Sequence, residues 1–114
     1  MQTALLLEEG VEAVKLLRDS GWTAKIAPLV PGVNYGVAYV SGAWTSTTSL
    51  KYIDNKFYRT FALTDVYRDS NDKIASSGAL DSNTKKVVVS VSVRTILGTT
   101  TKSISTYLAN IFSN

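Results

Sequence analysis

Three carboxylates stand close together near the start of the chain, Glu8, Glu9 and Glu12. Glu8 and Glu12 are one helical turn apart, close enough for a paired acid and base. That chemistry needs a cleft that raises one of the two pKa values. These glutamates lie on the polar side of an amphipathic segment, so a solvated face is the expectation. A second acidic group, Asp69, Asn71 and Asp81 with Ser70 and Asp72 beside them, offers the oxygen ligands that calcium prefers. The twelve-residue loop pattern does not fit it: counted from Asp69, the sixth position is Ile74 and the twelfth is Leu80. Asp, Asn and Ser also dominate ordinary turns because their side chains bond the local backbone, and a turn is the expectation here. The chain has no His and no Cys. Ser-His-Asp and Cys-His catalysis, the common zinc sites and disulfides are thereby excluded. Gly32-Val33-Asn34-Tyr35-Gly36 matches neither a phosphate loop nor a dinucleotide fingerprint. No catalytic residue, cofactor or metal is therefore assigned, and the chain is expected not to be an enzyme.

The aromatic residues are the other candidates. Tyr35, Tyr39 and Trp44 flank Ser41-Gly42, a hairpin signal, and are expected to be the most exposed of their kind. Exposed rings stack on sugars or bases. Trp22, Tyr52, Phe57, Tyr58, Phe61, Tyr67, Tyr107 and Phe112 read as packing residues.

The elements that must position these residues are legible in the hydrophobic pattern. The chain of 114 residues is long enough for one domain, read as residues 1–114. Residues 3–20 predict a helix, within a helical unit of residues 1–22. Ala4, Leu7, Val11, Val14 and Leu17 recur every three or four residues, and Leu6, Gly10 and Ala13 widen the stripe. Gly21 ends it. Pro28, Pro31 and Gly32 mark a connector over residues 23–34. Residues 35–114 read as strands of one antiparallel sheet. Predicted strands cover 35–40, 44–52, 57–67, 85–97 and 99–111, with breaks at Ser41-Gly42, Asp54-Asn55 and Gly98 and a polar excursion over 69–84. In 57–67, Phe57, Phe61, Leu63 and Tyr67 share a face with Arg59 and Asp65, and Val66 takes the other. In 85–97, Val87, Val89, Val91 and Val93 face one way. The expected fold is α+β, an N-terminal amphipathic helix packed on an antiparallel sheet.

Charge is divided unevenly. Residues 1–22 hold two basic and four acidic side chains, a net of −2, and residues 23–114 hold ten and five, a net of +5. Only Lys85-Lys86 are adjacent, so the scattered cations solvate a surface and no specific nucleic-acid partner is expected. No segment approaches the roughly 20 apolar residues of a membrane span, and Glu8-Glu9 come too early for a signal peptide. The apolar run Ala4-Leu5-Leu6-Leu7 begins abruptly, and Met1 is open to being either the natural start or a cut in a longer helix.

Three segments together resemble type IV pilin-like proteins, including minor pilins and pseudopilins. Glu8-Glu9-Gly10-Val11-Glu12-Ala13-Val14 through Arg18-Asp19-Ser20-Gly21-Trp22 is similar to the stretch just past their membrane anchor. Phe57-Tyr58-Arg59-Thr60-Phe61 to Val66-Tyr67-Arg68-Asp69 resembles their strand and Arg-Asp loop, and Asp81 to Val91 their following strand. The N-terminal processing signal and the long apolar helix of that family are not in this sequence, and many members carry Trp where this chain has Val93. The resemblance implies the soluble part of a longer, non-catalytic filament subunit. It would be anchored to the inner membrane by an upstream helix, processed and methylated there, and exported to a cell-surface pilus or a secretion filament. Its partners would be other pilin or pseudopilin subunits, met through the N-terminal helix, with Leu5, Leu6, Leu7 and Gly10 as subunit contacts. The isolated piece is expected to stay monomeric, since most of the assembly surface would lie upstream. The alternative expectation is a small surface or secreted module that binds carbohydrate or another polymer through Tyr35, Tyr39 and Trp44.

Overall fold

The helix α1, Gln2–Asp19, lies across an antiparallel sheet in a computed structural model that describes residues 2–50, 52, 53 and 56–111. Its apolar stripe explains the placement. Leu6, Leu7, Val14 and Leu17 are buried, Val11 is half-buried, and the four glutamate and aspartate side chains of the helix point to solvent. The helix runs out at Ser20, whose N–H still bonds the Leu16 and Leu17 carbonyls. Gly21 then turns the chain at φ 145°, a value open to glycine. The connector is not featureless. Trp22–Ile26 wind into one π-helical turn, closed by the Ala27 N–H on the Trp22 carbonyl at 2.8 Å, and both Trp22 and Ile26 are buried.

Among the described residues seven strands follow: β1 Gly36–Val40, β2 Ala43–Thr47, β3 Tyr52–Ile53, β4 Phe57–Arg68, β5 Ile74–Ala75, β6 Ala79–Thr95 and β7 Gly98–Ala109. They form two sheets rather than one. β1 and β2 pair as a separate hairpin, and the main sheet runs β3-β4-β6-β7 with β5 added at the end of β4. The predicted strand 44–52 is thus divided between the two sheets. At its break the Thr47 hydroxyl accepts the Ser49 N–H at 3.0 Å, replacing a ladder bond with a local one. The Tyr35–Phe61 bridge and the Gly32 N–H on the Leu63 carbonyl at 2.9 Å tie the connector to the main sheet.

The alternation in β4 and β6 sets the core. Phe57, Phe61 and Leu63 meet Val87, Val89 and Val91 under the helix, with Leu108 from β7. The Asp65–Lys85 pair holds register at one end, with Nζ and Oδ1 2.7 Å apart. Beyond it the register shifts: Asp65 opposes Lys85 but Val66 opposes Asp81, so residues 82–84 bulge from β6. This corrects the predicted polar excursion. β6 begins at Ala79, six residues before the expected start, because the bulge absorbs the polar residues Ser82, Asn83 and Thr84 without ending the strand. Val66, expected on the outer face, is nevertheless buried. The predicted strand 99–111 is present as β7. The predicted turn at Asp54-Asn55, Lys51 within the predicted strand 44–52, and Phe112 lie outside the described residues.

Candidate functional site

The four expected contact residues near the helix start divide sharply. Leu5 is 58% exposed, whereas Leu6 and Leu7 are buried in the domain's own core. Gly10 is buried over the sheet, and a Cβ there would stand 2.6 Å from Val89 Cγ1 and 3.1 Å from Arg59 Cδ. Gly10 therefore serves close approach of the helix to β6 and β4. Of the four, Leu5 is the one left free to meet another molecule.

Arg59 clamps this approach. Its Nη1 donates to the Leu6 carbonyl at 3.1 Å and to Glu9 Oε1 at 3.2 Å. It is a charged residue on the apolar side of the β4 alternation, and that misplaced charge is the signal in the sequence for its role. Glu9 is thus engaged with β4 and Glu12 with Lys15 at 3.4 Å. The three glutamates do not gather into a catalytic pair, and each stays exposed to solvent.

The acidic loop is organised around Arg68. Its Nε donates to Asp81 Oδ2 at 2.8 Å and its Nη1 to the Asp72 carbonyl at 3.1 Å. Asp81 also accepts from the Thr84 hydroxyl at 2.9 Å and the Asn83 N–H at 2.9 Å. Arg68, then Asn83 and Thr84, hold the Asp81 carboxyl below its ordinary value, and Asp81 raises Arg68 in return. Asp69 Oδ1 accepts the Asn71 and Lys73 N–H groups at 2.8 and 3.0 Å. These carboxylates build turns. Gly78 completes the return, since any Cβ there would run into the Arg68 carbonyl oxygen. Among the described residues no three His, Cys, Asp or Glu side chains come together as a metal-holding group.

The aromatic trio is split as well. Tyr35 is buried, its hydroxyl accepting the Val30 N–H at 3.0 Å and its ring 5.9 Å from Phe61. It is a core residue, contrary to the expected exposure, because the bridge to β4 draws it under the connector. Tyr39 is 62% exposed and lies 5.1 Å from the Trp44 ring. Trp44 is half-buried against the core and, with Val37, forms one wall of a groove of about 480 Å³ whose other wall is the helix at Leu5, Glu8, Glu12 and Leu16.

The groove has no signature in the sequence, since it needs the β1–β2 hairpin to lie beside the helix. The β6–β7 turn falls beside the predicted Gly98 break, but Ile96 and Leu97, read as part of a strand, stand at its tip 101% and 95% exposed. The Thr95 hydroxyl fixes this turn, accepting the Leu97 N–H and donating to the Gly98 carbonyl. The outer sheet face carries hydroxyl pairs, Ser90 with Ser103 at 2.8 Å and Ser92 with Thr101 at 2.9 Å.

The chain matches no family model, no curated protein and no solved structure. What the fold defines is a mixed α+β domain with an N-terminal helix packed against an antiparallel sheet. No helix among the described residues is long and apolar enough to cross a membrane.

Proposed function

We propose that this chain is a non-catalytic structural subunit of the type IV pilin-like kind, a minor pilin or pseudopilin of a surface or secretion filament. The observation that carries the reading is the helix start: Leu5 stays exposed beside buried Leu6 and Leu7, so the amphipathic helix keeps apolar surface that its own sheet does not cover. The helix-on-sheet arrangement and the three resembling segments support the same reading. Under it, an apolar segment upstream of α1 anchors the subunit and packs helix to helix in the filament core.

N-terminal sequencing with intact mass of the native protein from its own cells tests this. An upstream apolar segment of about 20 residues with a methylated first residue is the expected result. A native protein that starts at Met1 and stays in the soluble fraction overturns it.

A second reading is favoured by the exposed Tyr39 beside Trp44. It makes the β1–β2 hairpin a polymer-binding surface, now without Tyr35. Loss of polysaccharide binding in Trp44→Ala with assembly intact would select that reading.

A further inference from the structure

The β6–β7 turn and the helix–hairpin groove are both apolar surfaces that the domain's own core leaves open. The turn presents two aliphatic side chains wholly to solvent, a costly exposure for a monomer with no use for them. Cations flank it. Arg94 stacks on Tyr52 with its guanidinium carbon 4.7 Å from the ring centroid. Lys56 adjoins Arg94 through a backbone bond of 3.3 Å, and Lys102 stands exposed lower on β7. Neither Arg94 nor Lys102 has an ion pair among the described residues.

The groove has the opposite character. Leu5 and Leu16 on the helix wall face Val37 and Trp44 on the hairpin wall, and Glu8, Glu12 and the Glu9–Arg59 pair edge the groove. Leu5 and Leu16 are 58% and 45% exposed, and Glu8 has no ion pair among the described residues. The groove carries Glu8, Glu9 and Glu12 against the one cation Arg59, so it keeps a net negative charge, whereas Arg94 and Lys56 beside the turn pair with no carboxylate among the described residues. Turn and groove share no residue.

We infer that Ile96 and Leu97 of one copy seat in the groove of a second copy, with Arg94 and Lys56 facing Glu8 and Glu12. An apolar projection that fits a pocket elsewhere on the same molecule makes a heterologous contact, which repeats without closing. The inference deepens the filament-subunit reading, on which its biological setting rests, but the contact itself needs no upstream segment. Two side chains bury far less than the ~1,200 Å² of a stable interface, so the isolated contact is weak.

Sedimentation equilibrium on three proteins tests the contact. Wild type is expected to gain mass continuously with concentration, without a limit at the dimer. A turn variant, Ile96→Asp with Leu97→Asp, and a groove variant, Glu8→Lys with Leu16→Lys, are each expected to be monomeric, with association weakened at least ~10-fold. Mixed in equal amounts, they are expected to form a dimer that grows no further, because one supplies the intact groove and the other the intact turn. Circular dichroism confirms that both variants fold; should either fail, Leu97→Asp or Glu8→Lys alone replaces it. Wild type that stays monomeric to ~1 mM overturns the inference. So do variants that still associate alone, and a mixture no larger than its parts, as pairing through the free edge of β7 would give. Monomeric wild type alongside a native anchored precursor removes the contact and leaves the subunit reading. Open-ended association without an upstream segment does the reverse.

Discussion

Gly10 carries a conflict that only distance resolves. As a helix residue it is worse than alanine by about 1 kcal/mol. Yet a Cβ would meet Val89 Cγ1 at 2.6 Å, and a β-branched core side chain has nowhere to retreat. Overpacking of this kind costs roughly 1–3 kcal/mol. Gly10→Ala is therefore expected to destabilise the fold by about 1 kcal/mol net in urea unfolding, and the same substitution should cost less in a Val89→Ala background, where the clash is gone. Arg68 and Asp81 show a residue-scale effect of the other kind. The Asp81 pKa is lowered in the fold, so its contribution is present above the unfolded value near 3.8 and lost as pH falls through the folded value. The thermal midpoint of Asp81→Asn should lie below that of wild type at pH 7, and the two should converge below about pH 4. A gap that does not narrow as pH falls below 3.8 would mean that Asp81 acts through packing instead.

At the scale of elements, the helix stripe does two jobs on adjacent sides. Leu17 is completely buried between helix and sheet, and Leu5 is largely open to solvent. Leu17→Ala should cost about 3 kcal/mol, the usual range for a buried leucine. Leu5→Ala should stay within about 0.5 kcal/mol of wild type. Equal losses at the two positions would mean that Leu5 supports the fold and has no surface to spare. Much of this was legible in the residues. Spacing of three and four in Ala4 to Leu17, and of two in Val87 to Val93, are periodic signals that survive folding because each element presents one face to the core. The division of β2 from β3 was not legible. Trp44–Tyr52 is uniformly β-rich, and the break depends on the Thr47 hydroxyl capturing the Ser49 N–H. Nor was the early start of β6, since Ser82-Asn83-Thr84 reads as a loop unless a partner strand tolerates a bulge.

The whole molecule is elongated, 50 × 34 × 22 Å, with a radius of gyration of 15.1 Å against about 13 Å for a compact chain of this length. The long β6–β7 hairpin is part of that shape, and its tip contributes nothing to the core. Ile96→Asp with Leu97→Asp should therefore leave the unfolding midpoint within about 0.5 kcal/mol of wild type while it alters association. Loss of stability on that scale or larger would return the tip to a folding role.

By itself the sequence determined the class of fold, the helix, the core faces of β4 and β6, and the absence of His and Cys chemistry. These follow from composition and local period, which no distant contact can change. The tertiary structure decided which apolar residues stay outside. Leu5 and Leu6 are adjacent leucines, Tyr35 and Tyr39 are tyrosines four residues apart, and one of each pair is buried. Arg59 bonds a helix fifty residues away, and the groove exists only because the β1–β2 hairpin lies beside that helix. Which of two like residues is buried is set by what arrives from elsewhere in the chain, and at those positions the local pattern carries no record of it.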